Sequence, residues 1–187
     1  DDLFGPRPRT KLLGQFGAAV LACLAGVNIF VSSGQVQPWY SIPATIIWLL
    51  ACSNAFNLID GLDGLAAGIG VFATAAMLVS ALVDHNVVLA LLTAPLLGSL
   101  IGFLRYNFNP ASIFLGDCGS LTIGFLLGCF GVLWGQGSAG VLGMAAPFMA
   151  MFIPFLDTGL AITRRFVRSH SIFAADARHI HHQLLSK

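Results

Sequence analysis

The stretch that decides the fold is NAFNLIDGLDGLAAGIG, residues 54–70, which lies between two apolar runs and yet carries two asparagines and two aspartates. No charged residue occurs between Lys11 and Asp60, or between Asp63 and Asp84. A bilayer core about 30 Å thick needs about 20 apolar residues as a helix. Each flank is therefore long enough to cross a membrane, and the polar stretch is predicted to join two spans.

Composition places the whole chain in the membrane class. Of its 187 residues, 57% are hydrophobic and 9% are charged, whereas a soluble domain carries about 25% charged residues. The predicted fold class is all-α, a polytopic integral membrane protein with a single domain over residues 1–187. The chain opens on two aspartates without Met or a signal-peptide pattern, so we expect the C-terminal portion of a longer protein. The six predicted spans are Leu12–Val31, Ile42–Leu58, Leu65–Val83, Val87–Leu104, Leu121–Trp134 and Val141–Thr163.

Positive charge is confined to one side of this predicted bundle. With alternating crossings, all nine Lys and Arg residues fall on the face formed by residues 1–11, 59–64, 105–120 and 164–187. By the positive-inside rule that face is cytoplasmic. Most aspartates and histidines fall on the same face, although they were not used to orient the chain. The sequence therefore predicts a cytoplasmic active-site face.

Within the central stretch, Asn57, Asp60 and Asp63 recur every three residues, a spacing that puts side chains on one side of a helical turn. Gly61 and Gly64 argue against a continuous helix and favour a span that ends in a tight loop. Aspartates that merely cap and turn helices are the simpler alternative. Two of them beside an asparagine, in a chain with so little charge, favour a functional site.

The segment IFLGDCGSLTIG, residues 113–124, has a similar design: an apolar, strand-like run leads into Gly-Asp-x-Gly-Ser, which opens a helix. Gly116 and Gly119 permit close approach of a ligand to the backbone. Ser120 and the first free N–H groups of the next span form a natural anion site. Asp117 beside an anion implies a shared cation, and Mg²⁺ favours carboxylates combined with substrate phosphates. An aspartate that only caps the helix is the alternative.

The tail segment ARHIHH, residues 177–182, offers His179, His181 and His182 next to Arg178. Histidines beside arginine favour contact with phosphate. A zinc site and a tail that contacts anionic lipid are the alternatives, but the chain has no Glu and so cannot contain HExxH. The four cysteines lack CxxC spacing and are interpreted as small hydrophobes, not as disulfides or zinc ligands.

Carboxylates, a divalent metal, imidazoles and arginines at a membrane–cytosol boundary indicate phosphate chemistry between a soluble and a lipid reactant. A lipid phosphate, with a second pKa of about 6, is mostly dianionic at neutral pH and needs little help from a general base. The harder task is to neutralise two anions that must react. This reasoning favours direct attack over a covalent enzyme intermediate.

Four motifs in order carry a resemblance that spans essentially the whole chain. They are DD (1–2) with KLLGQ (11–15), NAFNLIDGLDGLA (54–66), NFNPASIFLGDCGSL (107–121) and RHIHH (178–182). At these residues the sequence resembles the polyprenyl-phosphate N-acetylhexosamine-1-phosphate transferases, integral membrane enzymes that start bacterial cell-envelope glycan synthesis on a lipid carrier. The single HIHH with a short tail is more similar to the UDP-N-acetylglucosamine branch than to the muramoyl-pentapeptide branch.

The resemblance implies transfer of GlcNAc-1-phosphate from a UDP-sugar to polyprenyl (undecaprenyl) phosphate, with release of UMP, in cell wall or lipopolysaccharide synthesis. It implies Mg²⁺ as cofactor, with Mn²⁺ as a substitute, and a bacterial inner membrane location. The expected partners are a UDP-N-acetylhexosamine, polyprenyl phosphate and the lipid bilayer, with no nucleic acid. A homodimer is left open.

The resemblance also implies roles for individual residues. Asp117 matches the metal ligand, Asp1 and Asp2 match the acidic pair on the polyprenyl-phosphate side, Asp60 matches the catalytic centre, and His181 contacts the diphosphate. The implied substrate-binding residues, among which an aromatic ring stacks on the uracil, are Lys11, Asn57, Gly61, Leu62, Asp63, Asn107, Phe114, Ser120, Arg178, His179 and His182.

Other functions fit the sequence less well. An ion-coupled transporter uses aspartates near the middle of broken helices, whereas these aspartates lie at span ends on one face. An intramembrane aspartyl protease would need Gly at position 114, where Phe114 stands. A UDP-MurNAc-pentapeptide donor is the alternative within the same family.

Overall fold

A computed structural model describes residues 8–29 and 39–137, together with Phe152 and Leu156. The described ranges form helices joined by turns and irregular loops, without strands, so the predicted all-helical class is confirmed for this part of the chain. The helices are α1 (Pro8–Leu24), α2 (Ser41–Ile59), α3 (Leu65–Val83), α4 (Val87–Asn107) and α5 (Gly116–Gly137).

Four of the five helices, α2 to α5, are long and apolar enough to cross a membrane. They contain 19, 19, 21 and 22 residues, which at about 1.5 Å per residue is close to the thickness of a hydrocarbon core. The multi-pass membrane class is therefore confirmed. The sixth predicted span, Val141–Thr163, lies outside the described residues apart from Phe152 and Leu156, which are helical, so the predicted number of six remains a prediction.

The predicted bounds of the first span, Leu12–Val31, are wrong. Helix α1 begins at Pro8 and ends at Leu24. With 17 residues it is shorter than each of the other four helices. The chain turns at Gly26, whose φ of 97° is left-handed and suits glycine. The Asn28 side chain then donates to the carbonyl of Cys23 at 2.9 Å, which satisfies one of the carbonyl groups at the helix end.

The connection between α2 and α3 is the tight loop that the glycines predict. Helix α2 ends at Ile59, and the N–H of Asp60 bonds back to the carbonyl of Asn57. Gly64 has a φ of 74° and immediately precedes the first residue of α3. Asp60 and Asp63 therefore lie in a loop between two spans and not on a continuous helix.

Helices α2 and α5 approach each other closely at two glycines of α5. A Cβ atom placed on Gly124 would lie 2.7 Å from the carbonyl oxygen of Cys52 and 2.7 Å from the Cβ of Phe56. The indole N–H of Trp48 donates to the carbonyl of Gly128 at 3.0 Å, a second contact between the two helices. Glycine on α5 thus allows the two backbones to touch, a common device for packing helices in membranes.

The described helices alternate in direction. At one end of the bundle the start of α1 meets the start of α5, because Lys11 pairs with Asp117. At the other end, the Gln136 amide donates to the carbonyls of Gly26 (3.2 Å) and Asn28 (2.8 Å), which follow α1. The predicted grouping of the polar loops at one end of the bundle is confirmed for the described helices. All four cysteines are free, as expected.

Candidate functional site

The site is centred on Asp117, which lies in the first turn of α5. One carboxylate oxygen, Oδ2, is paired with the ammonium of Lys11 from α1. The other, Oδ1, accepts a hydrogen bond of 3.1 Å from the amide of Asn57, near the end of α2. Three helices that are distant in sequence therefore meet on one carboxylate. The sequence predicted Asp117 before a span starting at Leu121, whereas α5 starts five residues earlier, at Gly116 with a φ of 61°.

Asn57 has a second partner on α5. Its Nδ2 also donates to the hydroxyl of Ser120 at 2.7 Å, and that hydroxyl donates to the carbonyl of Gly116 at 2.8 Å. Ser120 is fully buried. In this arrangement Ser120 orients Asn57. The predicted contact of Ser120 with an anion remains a prediction.

Asp60 is the second acidic group of the site. It is half-buried, and burial raises the pKa of its carboxyl, with the negative charge of Asp117 adding to that rise. Two carboxyl groups that sense each other repel when both are ionised. A cation bound between them would relieve that repulsion.

Asp63 fixes the loop after α4. Its Oδ2 accepts hydrogen bonds from the backbone N–H of Ala111 at 3.0 Å and from the amide of Asn109 at 3.3 Å. These bonds help to hold the irregular course of residues 108–112, which precede the apolar, strand-like run predicted to start at residue 113. Residues 113–115 are irregular and not strand-like, and the carbonyl of Ile113 accepts from the Asn107 side chain and not from a neighbouring strand.

The Asn107 side chain links the loop between α2 and α3 to the loop between α4 and α5. Its Oδ1 accepts from the N–H of Gly64 at 3.1 Å, and its Nδ2 donates to the carbonyl of Ile113 at 2.9 Å. The side chain is buried, whereas the neighbouring Phe114 exposes 72% of its surface. An exposed ring on a braced loop is available to stack on a planar ligand. The predicted uracil contact remains a prediction, as do the nucleoside contacts of Asn107 and Asp63.

The oxygen atoms of this site suit a hard divalent cation such as Mg²⁺, which favours carboxylates. The pairing of Lys11 with Asp117 shows that positive charge is already favoured at this carboxylate, and Asp60 adds a second acidic group. Within residues 8–29 and 39–137, no group of three or more His, Cys, Asp or Glu is close enough to hold a metal alone. Substrate oxygens would have to complete the coordination, as Mg²⁺ sites at phosphates commonly require.

The structure brings together most of the predicted residues that it describes. Gly61 and Leu62 lie in the loop between Asp60 and Asp63, with the N–H of Gly61 bonded to the carbonyl of Ile59 at 2.7 Å. The remaining predicted residues lie outside the described part of the chain, and their roles stay predictions: Asp1, Asp2, Arg178, His179, His181 and His182.

Two polar residues next to the site were not predicted. Gln15 and Asn54 form an amide pair between α1 and α2. Both stand within quoted motifs, and Gln15 follows Lys11 by four residues, the spacing that places side chains on one helix face. That spacing was the available signal.

A family model described as "Glycosyl transferase family 4" matches residues 1–135, which is more than half of the chain. The chain belongs to glycosyl transferase family 4. The matched residues include Lys11, Asn57, Asp60 and Asp117, so the family match covers the described site.

Curated relatives of this family 4 chain come from several bacteria. The chain is 35% identical, over all of its length, to a "Probable undecaprenyl-phosphate N-acetylglucosaminyl 1-phosphate transferase" of Bacillus subtilis (strain 168), and covers 54% of that protein. It is 35% identical to a "Decaprenyl-phosphate N-acetylglucosaminephosphotransferase" of Mycobacterium leprae (strain TN), over 99% of this chain and 53% of the relative.

A "Phospho-N-acetylmuramoyl-pentapeptide-transferase" of Halalkalibacterium halodurans is 36% identical over 69% of this chain and 42% of the relative. The chain thus spans about half the length of the curated relatives it matches.

Proposed function

We propose that the chain carries the catalytic centre of a transferase that moves GlcNAc-1-phosphate from UDP-N-acetylglucosamine to a polyprenyl phosphate and releases UMP. The observation that carries the proposal is the meeting of Lys11, Asn57 and Asp117 at the end of a bundle of membrane-length helices. A polar, charged site at the end of membrane-length helices suits a reaction between a lipid phosphate and a soluble nucleotide. The names of the first two relatives support the donor and the acceptor.

In the proposed reaction, an oxygen of the lipid phosphate attacks the phosphorus that carries the sugar. The bond from that phosphorus to the UMP oxygen breaks, and UMP leaves with the electron pair. The attacking phosphate is already ionised at neutral pH, so no proton has to be removed from it. Both reactants are anions, and the site must therefore supply positive charge.

Different residues of the chain would supply or position the positive charge at the phosphates. Lys11 supplies an ammonium at the reacting phosphates, and Asn57 holds the Asp117 carboxylate in place through its amide. A Mg²⁺ ion, or Mn²⁺ in its place, would bind to Asp117 and neutralise phosphate charge. Asp60, whose carboxyl pKa is raised by burial and by Asp117, would lie beside that charge at the catalytic centre.

We propose the same orientation and location that the sequence predicts: the polar end of the bundle faces the cytoplasm of a bacterial inner membrane. Every Lys and Arg of the described helices, namely Arg9, Lys11 and Arg105, belongs to the polar end, at the start of α1 or in the last turn of α4. That distribution supports a cytoplasmic site by the positive-inside rule. A cytoplasmic site would also give access to nucleotide-linked sugars.

A second donor, UDP-MurNAc-pentapeptide, is favoured by one observation, the 36% identity to the muramoyl-pentapeptide transferase. The two donors share the uridine diphosphate and differ in the sugar. Residues that contact only the sugar would therefore decide between them.

The test is a detergent assay of UMP release with polyprenyl phosphate, run with each donor, with and without Mg²⁺. Lipid- and Mg²⁺-dependent release with UDP-N-acetylglucosamine, lost in Asp117→Asn, is the expected result. Release with the muramoyl donor alone would replace the first donor by the second. Because the chain spans about half the length of its relatives, the assay is run on the 187-residue chain and on a form extended to the length of those relatives. Absence of release from both forms with both donors would overturn the proposal.

A further inference from the structure

A second polar contact lies between α1 and α2, deeper in the bundle than Lys11. The Asn54 Nδ2 donates to the Oε1 of Gln15 at 2.6 Å and to the carbonyl of Leu50 at 2.8 Å, and the Gln15 Nε2 faces the Asn54 Oδ1 at 3.5 Å. We propose that Gln15 is a positioning residue: its amide pair with Asn54 fixes the register of α1 against α2 and so holds Lys11 at Asp117.

The spacing of the residues places this pair about one helical turn from a second contact, in which Lys11 and Asn57 both bond to Asp117. Lys11 and Gln15 are four residues apart on α1, and Asn54 and Asn57 are three apart on α2, so each couple lies on one helix face. The helices run in opposite directions, which sets Lys11 level with Asn57 at Asp117 and sets Gln15 level with Asn54. If α1 slipped along α2 by one turn, about 5.4 Å, both contacts would break together.

The surroundings of the pair explain why it sets the register. Leu12, Leu13 and Phe16 on α1 are largely exposed on the bundle surface, and apolar side chains of this kind can slide past lipid at little cost. An amide has no such freedom, because hydrocarbon offers it no hydrogen-bond partner. Gln15 is partly buried and finds its partner on α2. A polar residue within an apolar helix fixes register in the same way in coiled coils.

The consequence for the site follows from the reach of Lys11. Its ammonium meets a carboxylate on α5, while its own helix contacts α2 through the Gln15–Asn54 pair. Asn57, on the same face of α2 as Asn54, bonds to the same carboxylate. Gln15 therefore acts through Lys11 and touches no reacting atom. It sets the position of the Lys11 ammonium relative to the Asp117 carboxylate. Its effect on turnover rests on the proposed function; its effect on Lys11 does not.

The first test measures Lys11 directly and needs no substrate. An amine-acylating reagent is applied to the protein in detergent, and labelling of Lys11 is followed by mass spectrometry. Gln15→Leu, which keeps the bulk and removes the amide, is expected to raise the labelling rate of Lys11 at least threefold. The matched control is Gln136→Leu, which removes a side-chain amide at the far end of the bundle, where Gln136 donates to the carbonyls of Gly26 and Asn28. It is expected to leave Lys11 labelling unchanged.

The second test exchanges the two amides. Gln15→Asn and Asn54→Gln each shorten or lengthen one arm of the pair, and each is expected to lower kcat at least fivefold while leaving the KM of the nucleotide donor within twofold. The double variant restores the total reach of the pair and is expected to recover kcat to within twofold of wild type. A loss caused only by weaker folding would follow the melting temperature, whereas the positioning role lowers kcat in variants that remain folded at the assay temperature.

The outcomes separate the two proposals. Increased Lys11 labelling in Gln15→Leu, with a wild-type labelling rate in the exchanged double variant, supports the positioning role even if no transfer reaction is found. Unchanged Lys11 labelling in Gln15→Leu, or the same increase in Gln136→Leu, overturns it even if the transfer reaction is established.

Discussion

Lys11 and Asp117 are 106 positions apart in the chain, and the ammonium of the first pairs with the carboxylate of the second. The Lys11 side chain is 28% exposed and that of Asp117 is 35% exposed, so solvent screens the pair only in part. An ammonium on the carboxylate that a metal would use makes lysine and metal competitors for one site. Three of the five helices are tied to this carboxylate, which makes it the most informative place to perturb.

Replacing Lys11 by methionine should separate metal binding from turnover. Without the competing ammonium, Lys11→Met is expected to bind Mg²⁺ about tenfold more tightly, a difference of about 1.4 kcal/mol. Its rate of UMP release should nevertheless fall by roughly 100-fold, because the reacting phosphates lose a cation. Isothermal titration with Mg²⁺ and the UMP assay measure the two effects. Arg105→Met, which removes a surface cation in the last turn of α4, is the control; weaker Mg²⁺ binding in Lys11→Met would contradict the competition.

The amide of Asn57 should matter more for turnover than the hydroxyl it also contacts. Asn57→Leu removes the donor to Asp117 and the donor to Ser120. Hydrogen bonds to charged groups contribute about 1.5–3 kcal/mol, so a loss of roughly 10- to 150-fold in kcat is expected. Ser120→Ala keeps the bond to Asp117 and should cost less than about tenfold. The idea fails if Asn57→Leu turns over within threefold of wild type or if Ser120→Ala is the worse variant.

The close approach of α2 and α5 predicts a contrast between two glycines. A methyl group at Gly124 would meet the backbone of Cys52 at 2.7 Å and of Ser53 at 2.9 Å, neither of which can move aside cheaply. Gly124→Ala is therefore expected to lower stability by about 1–3 kcal/mol and to lower activity, because α5 carries Asp117. Gly98→Ala, on α4, meets nothing within 4 Å and should be neutral or slightly stabilising.

Thermal unfolding in detergent measures the contrast. Equal melting temperatures for the two alanine variants would show that the α2–α5 contact is looser than the structure has it.

The carboxyl of Asp60 should make stability depend on pH in a defined direction. Burial and the charge of Asp117 raise its pKa in the folded state, so ionisation of Asp60 destabilises the fold. The protonated state carries no such penalty, and stability is therefore lost as pH rises from the unfolded pKa of about 3.9 through the higher folded pKa. Asp60→Asn should melt on the order of 2 °C above wild type at pH 7, and the difference should vanish below about pH 4.

The measurement is a melting curve in chelator at several pH values. Asp84→Asn, which removes a carboxylate from the opposite end of α3, serves as the control for net charge. A difference between Asp60→Asn and wild type that grows on acidification would refute the assignment.

Local sequence signals predicted the elements whose causes are local. Gly64 predicted the break between α2 and α3 because a left-handed residue suits glycine, and the structure has it at a φ of 74°. The charge-free runs predicted membrane-length helices because length and apolarity are sequence properties. Asp117 and Asn57 were found as candidates because polar residues are conspicuous in an apolar chain.

Contacts between distant segments account for what was missed. The turn that follows the end of α1 at Leu24 bonds to a distant residue, because the Gln136 amide donates to the carbonyls of Gly26 and Asn28, within a run that is apolar enough to continue as helix. The irregular course of residues 108–115 depends on Asp63, which is more than forty positions away. Pairing of Gln15 with Asn54 requires knowing that α1 lies against α2.

The buried amide of Asn107 has a thermodynamic consequence. It bonds at once to the loop that begins α3 and to the loop that leads into α5, so a ligand that displaces either loop must work against the other. Coupling of this kind is reciprocal: whatever a nucleotide on the Phe114 loop does to cation affinity at Asp117, the cation must do to nucleotide affinity by the same factor. The order in which the two ligands arrive would then alter the individual steps of binding but not the free energy of the fully occupied site.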